Sequence, residues 1–383
     1  MRRYLIKVVH ICPIGITAKK LLLPQCTYLR NMGYEVSFVF SPSPETGELR
    51  ELGFSVEELP ITRGRIAPAD FASILKLREY LASAKPGIVH THTDKGGGVG
   101  RIAARLAGVP CVIHTVHGYA FDEGQSSIKN WAYSLIEREL SRHTDIVLSQ
   151  SIEDVETAKH LRIRARAGYP IWIGNGVDTS LFDRSRFGVE AQAGLRSRLR
   201  IGQEPVITIV ARLTFEKGYR ELVEALAACT ELQWTALFVG REDRDGAAIQ
   251  RLIQQHGISD RVRLIGDSDE IPLLLSISDL FVLPSYTEGV PRTVIEAQCM
   301  ALPAVVTDVR GCREVVVHRE TGLVVEPKDS VSLASAMRAA IQDPVMRMQY
   351  GAKAAARARK LFSEDAVFRR IESAYELAER VIG

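Results

Sequence analysis

No stretch of this chain approaches the run of about 18 apolar residues that a membrane-spanning helix needs, so any membrane contact is expected to be peripheral. Paired cysteines are also missing. Cys12, Cys26, Cys111, Cys229, Cys299 and Cys312 are scattered without a CxxC, which points to buried free thiols in a reducing, cytoplasmic setting. Arg2 and Arg3 lead into LIKVVHI, but Lys7 and His10 interrupt it and no cleavage-site pattern follows; it reads as a first strand and not as a signal peptide. No short repeat suggests a solenoid. With 46% hydrophobic and 25% charged residues, disordered, collagenous and fibrous classes are excluded.

Strong net charge is absent too, at +3, which gives no reason to expect a nucleic-acid partner. The charge is unevenly spread: residues 1–170 hold 22 Lys+Arg against 17 Asp+Glu, and the remainder is slightly acidic. Lys19, Lys20, Arg162, Arg164 and Arg166 could face an anionic surface, such as the inner face of a cell membrane or a lipid diphosphate, or form a solvated basic face.

At 383 residues the chain exceeds one typical core and suits two domains. The β-branched runs KVVHI, YEVSFVF, GIVHTH, VPCVIHTVH and DIVLSQ alternate with helical patterns near 19–32, 68–84, 99–107 and WAYSLIERELSRH. That rhythm predicts parallel strands with right-handed crossovers. PIWIGNGVDTSLF breaks it with Gly174, Asn175 and Gly176, and a second series runs through PVITIVARL, WTALFVG, RVRLIG, LFVLPS, PAVVTD and GLVVEP. The expected fold is α/β, with doubly wound Rossmann-like domains at 1–172 and 173–364 facing a cleft and a helix over 365–383 crossing back to the first. Ligands of such sheets bind beyond the carboxyl ends of the strands.

The residues expected there are charged. Arg212 ends the strand VITIVARL, and LTFEKG carries Lys217 to the next helix; two fixed cations suit a diphosphate whose charge grows as it departs. A Lys beside a helix start opposes the macrodipole, which favours an anion nearby. PSYTEGVPRTVIEA follows the strand LFVLP and opens a helix whose N–H groups suit phosphate. Within it Glu288 precedes Gly289, and Glu296 lies eight positions on, so one carboxylate can meet a sugar and the other a ribose. Thr293-Val-Ile-Glu296 also reads as a capping box, in which Glu296 only satisfies the helix start.

RLTFEKG with EGVPRTVIEA resembles the donor site of retaining GT-B glycosyltransferases of family 4, including their Glu-x7-Glu motif. VHTHTDKGGGVGRIAARLAGVPCVIHTVHG and IGNGVDTSLF resemble the subgroup that builds bacterial capsule, exopolysaccharide and O-antigen. The resemblance implies a nucleoside diphosphate sugar donor, UDP-linked in such subgroups, and a lipid-linked or glycan acceptor, with no cofactor. It implies that Arg212 and Lys217 hold the diphosphate, Glu288 contacts the sugar, Glu296 binds ribose, and Gly289, Val290, Arg292 and Thr293 complete the donor side. His117, in TVHGY, would approach the sugar from the first domain, with Gly15, His92, Lys95 and Gly96 on the acceptor side. Two departures stand out. The family often has Gly-Gly after its first strand, where this chain reads ICPIGIT, and a second glycine after WTALFVG, where it has Arg241 and Glu242.

Other chemistries compete. His90, His92 and Asp94 begin an HxHxDH metal-hydrolase pattern, with His114 and His117 further on, but Lys95 stands where the last His belongs and would repel a metal. DKGGGVG has Arg101 where a dinucleotide fingerprint needs glycine, and it lacks the P-loop ending. Its glycines instead suggest a close backbone approach by substrate near Lys95, or a plain tight turn. Asp243-Arg-Asp245 and Asp267-Ser-Asp269 match DxD but read as loop and helix-cap residues, so no metal is expected. Non-hydrolysing nucleotide-sugar epimerases share the architecture, and an inactive glycan-binding partner would retain the fold.

Overall fold

The structure, a computed structural model, describes residues 6–61, 70–119 and 127–383. Arg2, Arg3 and the first residues of the helix expected from 68 lie outside them. The chain forms two compact units, Met1–Gly174 with Phe368–Gly383, and Asn175–Val367.

The first unit holds a seven-stranded sheet: β1 (Lys7–Ile11), β2 (Glu35–Phe40), β3 (Ser55–Glu58), β4 (Ile88–His92), β5 (Cys111–Val116), β6 (Ile146–Ser149) and β7 (Ile171–Trp172). Their order is β3-β2-β1-β4-β5-β6-β7, with every pair parallel. β4, β5 and β6 are buried along their whole length, as parallel strands covered by helices on both faces must be. Val9, Ile11, Val89 and Val112 pack with Leu77, Leu81, Ala103 and Ala104 of two covering helices. The sequence reading missed β3 and the helix Glu45–Glu51 before it, because SVEE at a sheet edge carries a single buried apolar side chain, Val56.

The second unit holds β8 (Val206–Val210), β9 (Thr235–Val239), β10 (Val262–Gly266), β11 (Leu280–Leu283), β12 (Ala304–Thr307) and β13 (Gly322–Val325). They are ordered β10-β9-β8-β11-β12-β13, again all parallel. Val206, Leu237 and Val239 pack with Leu195, Leu274 and Ile277. The helix Glu364–Ile382 starts in this unit, and its residues from Phe368 belong to the first. There Ile371, Ala374, Tyr375 and Ala378 are buried, and Glu372 and Glu379 accept hydrogen bonds from Tyr28 and Tyr34.

Each sheet reverses its winding once, between β1 and β4 and between β8 and β11. At these switch points the loops leaving the two central strands diverge, so the space beyond their carboxyl ends is the place for a ligand.

Candidate functional site

In the second unit, Arg212 and Lys217 follow β8 while Glu288 follows β11, so all three stand at the switch point. Lys217 ends a short 3-10 turn, Phe215–Lys217, and its Nζ lies 2.7 Å from Glu288 Oε1. The Ser285 hydroxyl donates to the same carboxylate oxygen at 2.7 Å. The anion expected beside this lysine is therefore Glu288. Arg212 is half exposed, and its guanidinium bonds Glu216 at 2.8 Å and Asp243 at 2.9 Å.

Two glycines fix these loops against each other. Gly218, at φ +75°, begins the helix Tyr219–Ala227, and a Cβ there would overlap the Pro284 carbonyl oxygen at the end of β11. A Cβ on Gly311, at φ +78°, would overlap the Gly289 carbonyl oxygen still more deeply. Only a residue with no Cβ permits either approach. Asp245 stands at the cap position of the helix Gly246–Gln255 without capping it; its carboxylate accepts the Phe215 N–H at 2.9 Å instead. With Asp243 on Arg212, the DxD pair thus braces the loop after β8.

The capping-box reading of Glu296 is overturned. The helix Arg292–Cys299 is capped at Pro291, which has no side-chain donor or acceptor, so Thr293 is already inside the helix. Glu296 sits one turn later and bonds Arg292 Nε at 3.0 Å. Burial raises its carboxyl to about 7, against the pull of Arg292. Val290 is buried, and its carbonyl accepts a hydrogen bond from Asn175 at 2.9 Å. This ties the Gly-Asn-Gly break to the loop after β11. Gly289, Arg292 and Thr293 lie on the same loop and helix start, partly exposed.

In the first unit, Gly15 follows β1, and His92, Lys95 and Gly96 follow or end β4, at that sheet's switch point. The HxHxDH pattern does not assemble as the sequence suggests. Asp94 opens the helix Asp94–Leu106, and the group that comes within ligand reach is His10, His90 and His92, with His10 and His90 aligned across β1 and β4. All three are fully buried, and among the described residues no carboxylate joins them. Instead they hydrogen-bond: His10 Nδ1 to His92 Nε2 at 3.0 Å, and His92 Nδ1 to His117 Nε2 at 3.3 Å. Burial lowers His10 to about 3 and His117 to about 4, so both rings are neutral at pH 7. His92, expected to meet the acceptor, is fully buried and hydrogen-bonded to His117.

Three glycines of DKGGGVG pack closely against the protein's own atoms. A Cβ on Gly96 would sit 3.0 Å from Pro13, one on Gly97 would overlap the His114 ring, and one on Gly100 would lie 2.6 Å from Thr91. They lie inside the helix Asp94–Leu106 and not in a tight turn. Lys95 is buried against Asp70 at 3.0 Å, and Gly15 opens a short helix against Ser43.

Residues 194–357 match the family model "Glycosyl transferases group 1", and residues 21–167 match "Glycosyl transferase 4-like domain". The chain belongs to the group 1 glycosyltransferases. Among its relatives is the UDP-Gal:alpha-D-GlcNAc-diphosphoundecaprenol alpha-1,3-galactosyltransferase of Escherichia coli, 29% identical over 90% of each chain. Another is the N,N'-diacetylbacillosaminyl-diphospho-undecaprenol alpha-1,3-N-acetylgalactosaminyltransferase of Campylobacter jejuni, 25% identical over 88% of this chain and 90% of that one. HepE of Anabaena, solved with UDP and glucose, superposes with a TM-score of 0.83 at 21% identity, covering 97% of this chain and 99% of its own. The fold is thus that of the GT-B glycosyltransferases.

Several residues that hold these two clusters escaped the sequence reading: His10 and Tyr375 in the first unit, and Gly218, Ser285 and Gly311 in the second. His10 carried a signal, a second imidazole at a strand end, but only strand order reveals that β1 lies beside β4.

Proposed function

We propose that this glycosyltransferase moves a sugar from a UDP-linked donor to a lipid-linked glycan acceptor during surface polysaccharide synthesis, with retention of configuration and without a metal. The Lys217–Glu288 ion pair at the β8/β11 switch point carries the reading. A diphosphate arriving there would replace Glu288 at Lys217 Nζ and release the carboxylate to meet sugar hydroxyls. Arg212 would exchange Glu216 and Asp243 for phosphate oxygens in the same way. Glu296 would accept from ribose.

In the reaction, the bond from the anomeric carbon to the diphosphate oxygen breaks and a bond to the acceptor hydroxyl oxygen forms on the same face. The acceptor proton passes to the departing phosphate oxygen, and Arg212 and Lys217 stabilise the remaining charge. His117 is assigned to the sugar, and Gly15, Lys95 and Gly96 to the acceptor. The two relatives named for diphosphoundecaprenol-linked acceptors, one of them with UDP-galactose in its name, support the donor and acceptor classes.

No helix among the described residues is long and apolar enough to cross a membrane. A lipid-linked acceptor therefore calls for peripheral contact from the cytoplasmic face. One helix suits it: Ser127–Arg142 leaves Ile128, Trp131 and Ile136 exposed at 80%, 63% and 49% while burying Ser134 and Ser141.

A thermal-shift panel of UDP-, GDP-, ADP- and dTDP-sugars tests the donor. A ligand at a hundredfold excess over its Kd stabilises the folded state by about 2.7 kcal/mol, so the UDP-sugars should stand out. Equal, negligible shifts across the panel would contradict the reading. Incubating the hit without acceptor separates transfer from epimerisation, which would yield a new nucleotide sugar.

A further inference from the structure

A single chain of hydrogen bonds connects His117 to the closing helix. From His117 Nε2 it runs to His92 Nδ1 (3.3 Å), from His92 Nε2 to His10 Nδ1 (3.0 Å), and from His10 Nε2 to the Tyr375 hydroxyl (3.3 Å). It continues from that hydroxyl to His90 Nδ1 (2.8 Å) and from His90 Nε2 to the Thr115 hydroxyl (2.7 Å). Both nitrogens of His92, His10 and His90 are used. In a neutral imidazole one nitrogen donates and the other accepts, so choosing one proton position fixes all of them.

Tyr375 makes that choice. Its hydroxyl has one proton and two imidazole neighbours. Hydroxyl donors reach shorter distances than N–H donors, so the 2.8 Å contact is the one in which Tyr375 donates to His90, and His10 Nε2–H donates back across 3.3 Å. His10 Nδ1 must then accept from His92 Nε2–H, and His92 Nδ1 must accept from His117 Nε2–H. The last atom agrees: His117 Nδ1 is buried with no hydrogen-bond partner among the described residues. A lone pair is tolerated there better than an N–H, since orphaned buried donors are rarer than under-satisfied acceptors.

We propose that Tyr375, acting through His10 and His92, is a positioning residue that holds His117 as its Nε2–H tautomer, so that a sugar hydroxyl reaching Nδ1 meets an acceptor. The proposal rests on the reading that places His117 at the sugar. Of the other groups facing the chain, the Gln150 side chain bears on His117, where its hydrogen bond opposes the desolvation that lowers the ring. Burial keeps the Cys26 and Cys111 thiols protonated at pH 7, the Tyr34 hydroxyl donates to Glu379, His114 bonds Thr91, and Arg101 is held by Glu137. The three imidazoles nearest Tyr375 are thus kept neutral by burial, which the relay requires.

The test is long-range proton–nitrogen NMR of the full chain labelled at histidine nitrogens, with His117 assigned by its loss in His117→Gln. Wild type should show His117 protonated at Nε2 alone. Tyr375→Phe removes one oxygen and should turn His117 into a tautomer mixture and lower kcat roughly two- to tenfold, the worth of one neutral hydrogen bond, with donor KM little changed. A proton on Nδ1 in wild type overturns the proposal without any variant. So does a Tyr375→Phe enzyme with the wild-type tautomer and kcat. Unchanged turnover in His117→Ala is a different failure, which removes His117 from the reaction while the tautomer measurement, needing no turnover, still judges the relay.

Discussion

At the scale of single residues, the donor-site reading depends on charges that are already paired. Lys217 and Glu288 are mostly covered, 20% and 12% exposed, and neutralise each other. Lys217→Ala leaves Glu288 with Ser285, so the loss of stability should be about 1–3 kcal/mol, the cost of removing one partner of a covered charged hydrogen bond. Turnover should fall roughly 100- to 1,000-fold, the loss typical of removing one charge-stabilising donor, as read by steady-state kinetics beside a thermal melt. Near-normal transfer would remove the phosphate role. Glu296 behaves differently because burial holds it near 7. A carboxyl raised in the folded state favours folding while protonated, and that advantage is lost as pH climbs from about 4.5 to 7. Glu296→Gln should therefore flatten the decline in melting temperature between pH 5 and pH 8 and weaken donor binding most at pH 8, where the wild-type carboxylate is charged. A melt profile parallel to wild type would contradict the buried carboxyl.

At the scale of elements, the loops after β8 and β11 are held by backbone contacts that side chains cannot supply. Gly311→Ala must displace the Gly289 carbonyl and adopt a positive φ, which should cost at least 1 kcal/mol in chemical denaturation and weaken the nucleotide sugar in calorimetry. The closing helix contributes its buried face to the first unit. Tyr375→Ala should cost roughly 3–5 kcal/mol, as other large aromatic truncations do, whereas Tyr375→Phe should cost far less. Much of this level was legible in advance. KVVHI, VITIVARL and LFVLP announced β-branched central strands, and Arg212, Lys217 and Glu288 fell at strand ends. What could not be read was pairing: nothing in GIVHTH says that its imidazoles meet His10, because register comes from the order β1-β4 and not from local pattern. The Thr293–Glu296 box misled because the spacing was right while Pro291 supplied the helix start.

For the whole molecule, each parallel sheet has one switch point, at which the second unit gathers its charged loops and the first unit, separately, its histidines. The composition also fitted such a fold, with short, largely apolar strands. The exposed apolar face of Ser127–Arg142 gives a prediction at this scale. Trp131→Ser combined with Ile136→Ser should abolish flotation with anionic lipid vesicles while leaving transfer to a water-soluble acceptor analogue intact; undiminished flotation would place the contact elsewhere. The central claim is that one diphosphate site lies between the loops that follow β8 and β11. Titrating UDP into wild type, Lys217→Met and Arg212→Met by calorimetry tests it most directly. The account predicts measurable binding to wild type and at least a tenfold weaker Kd in each variant, as expected when a charged hydrogen bond worth about 1.5–3 kcal/mol is removed. Equal affinity in all three would contradict it.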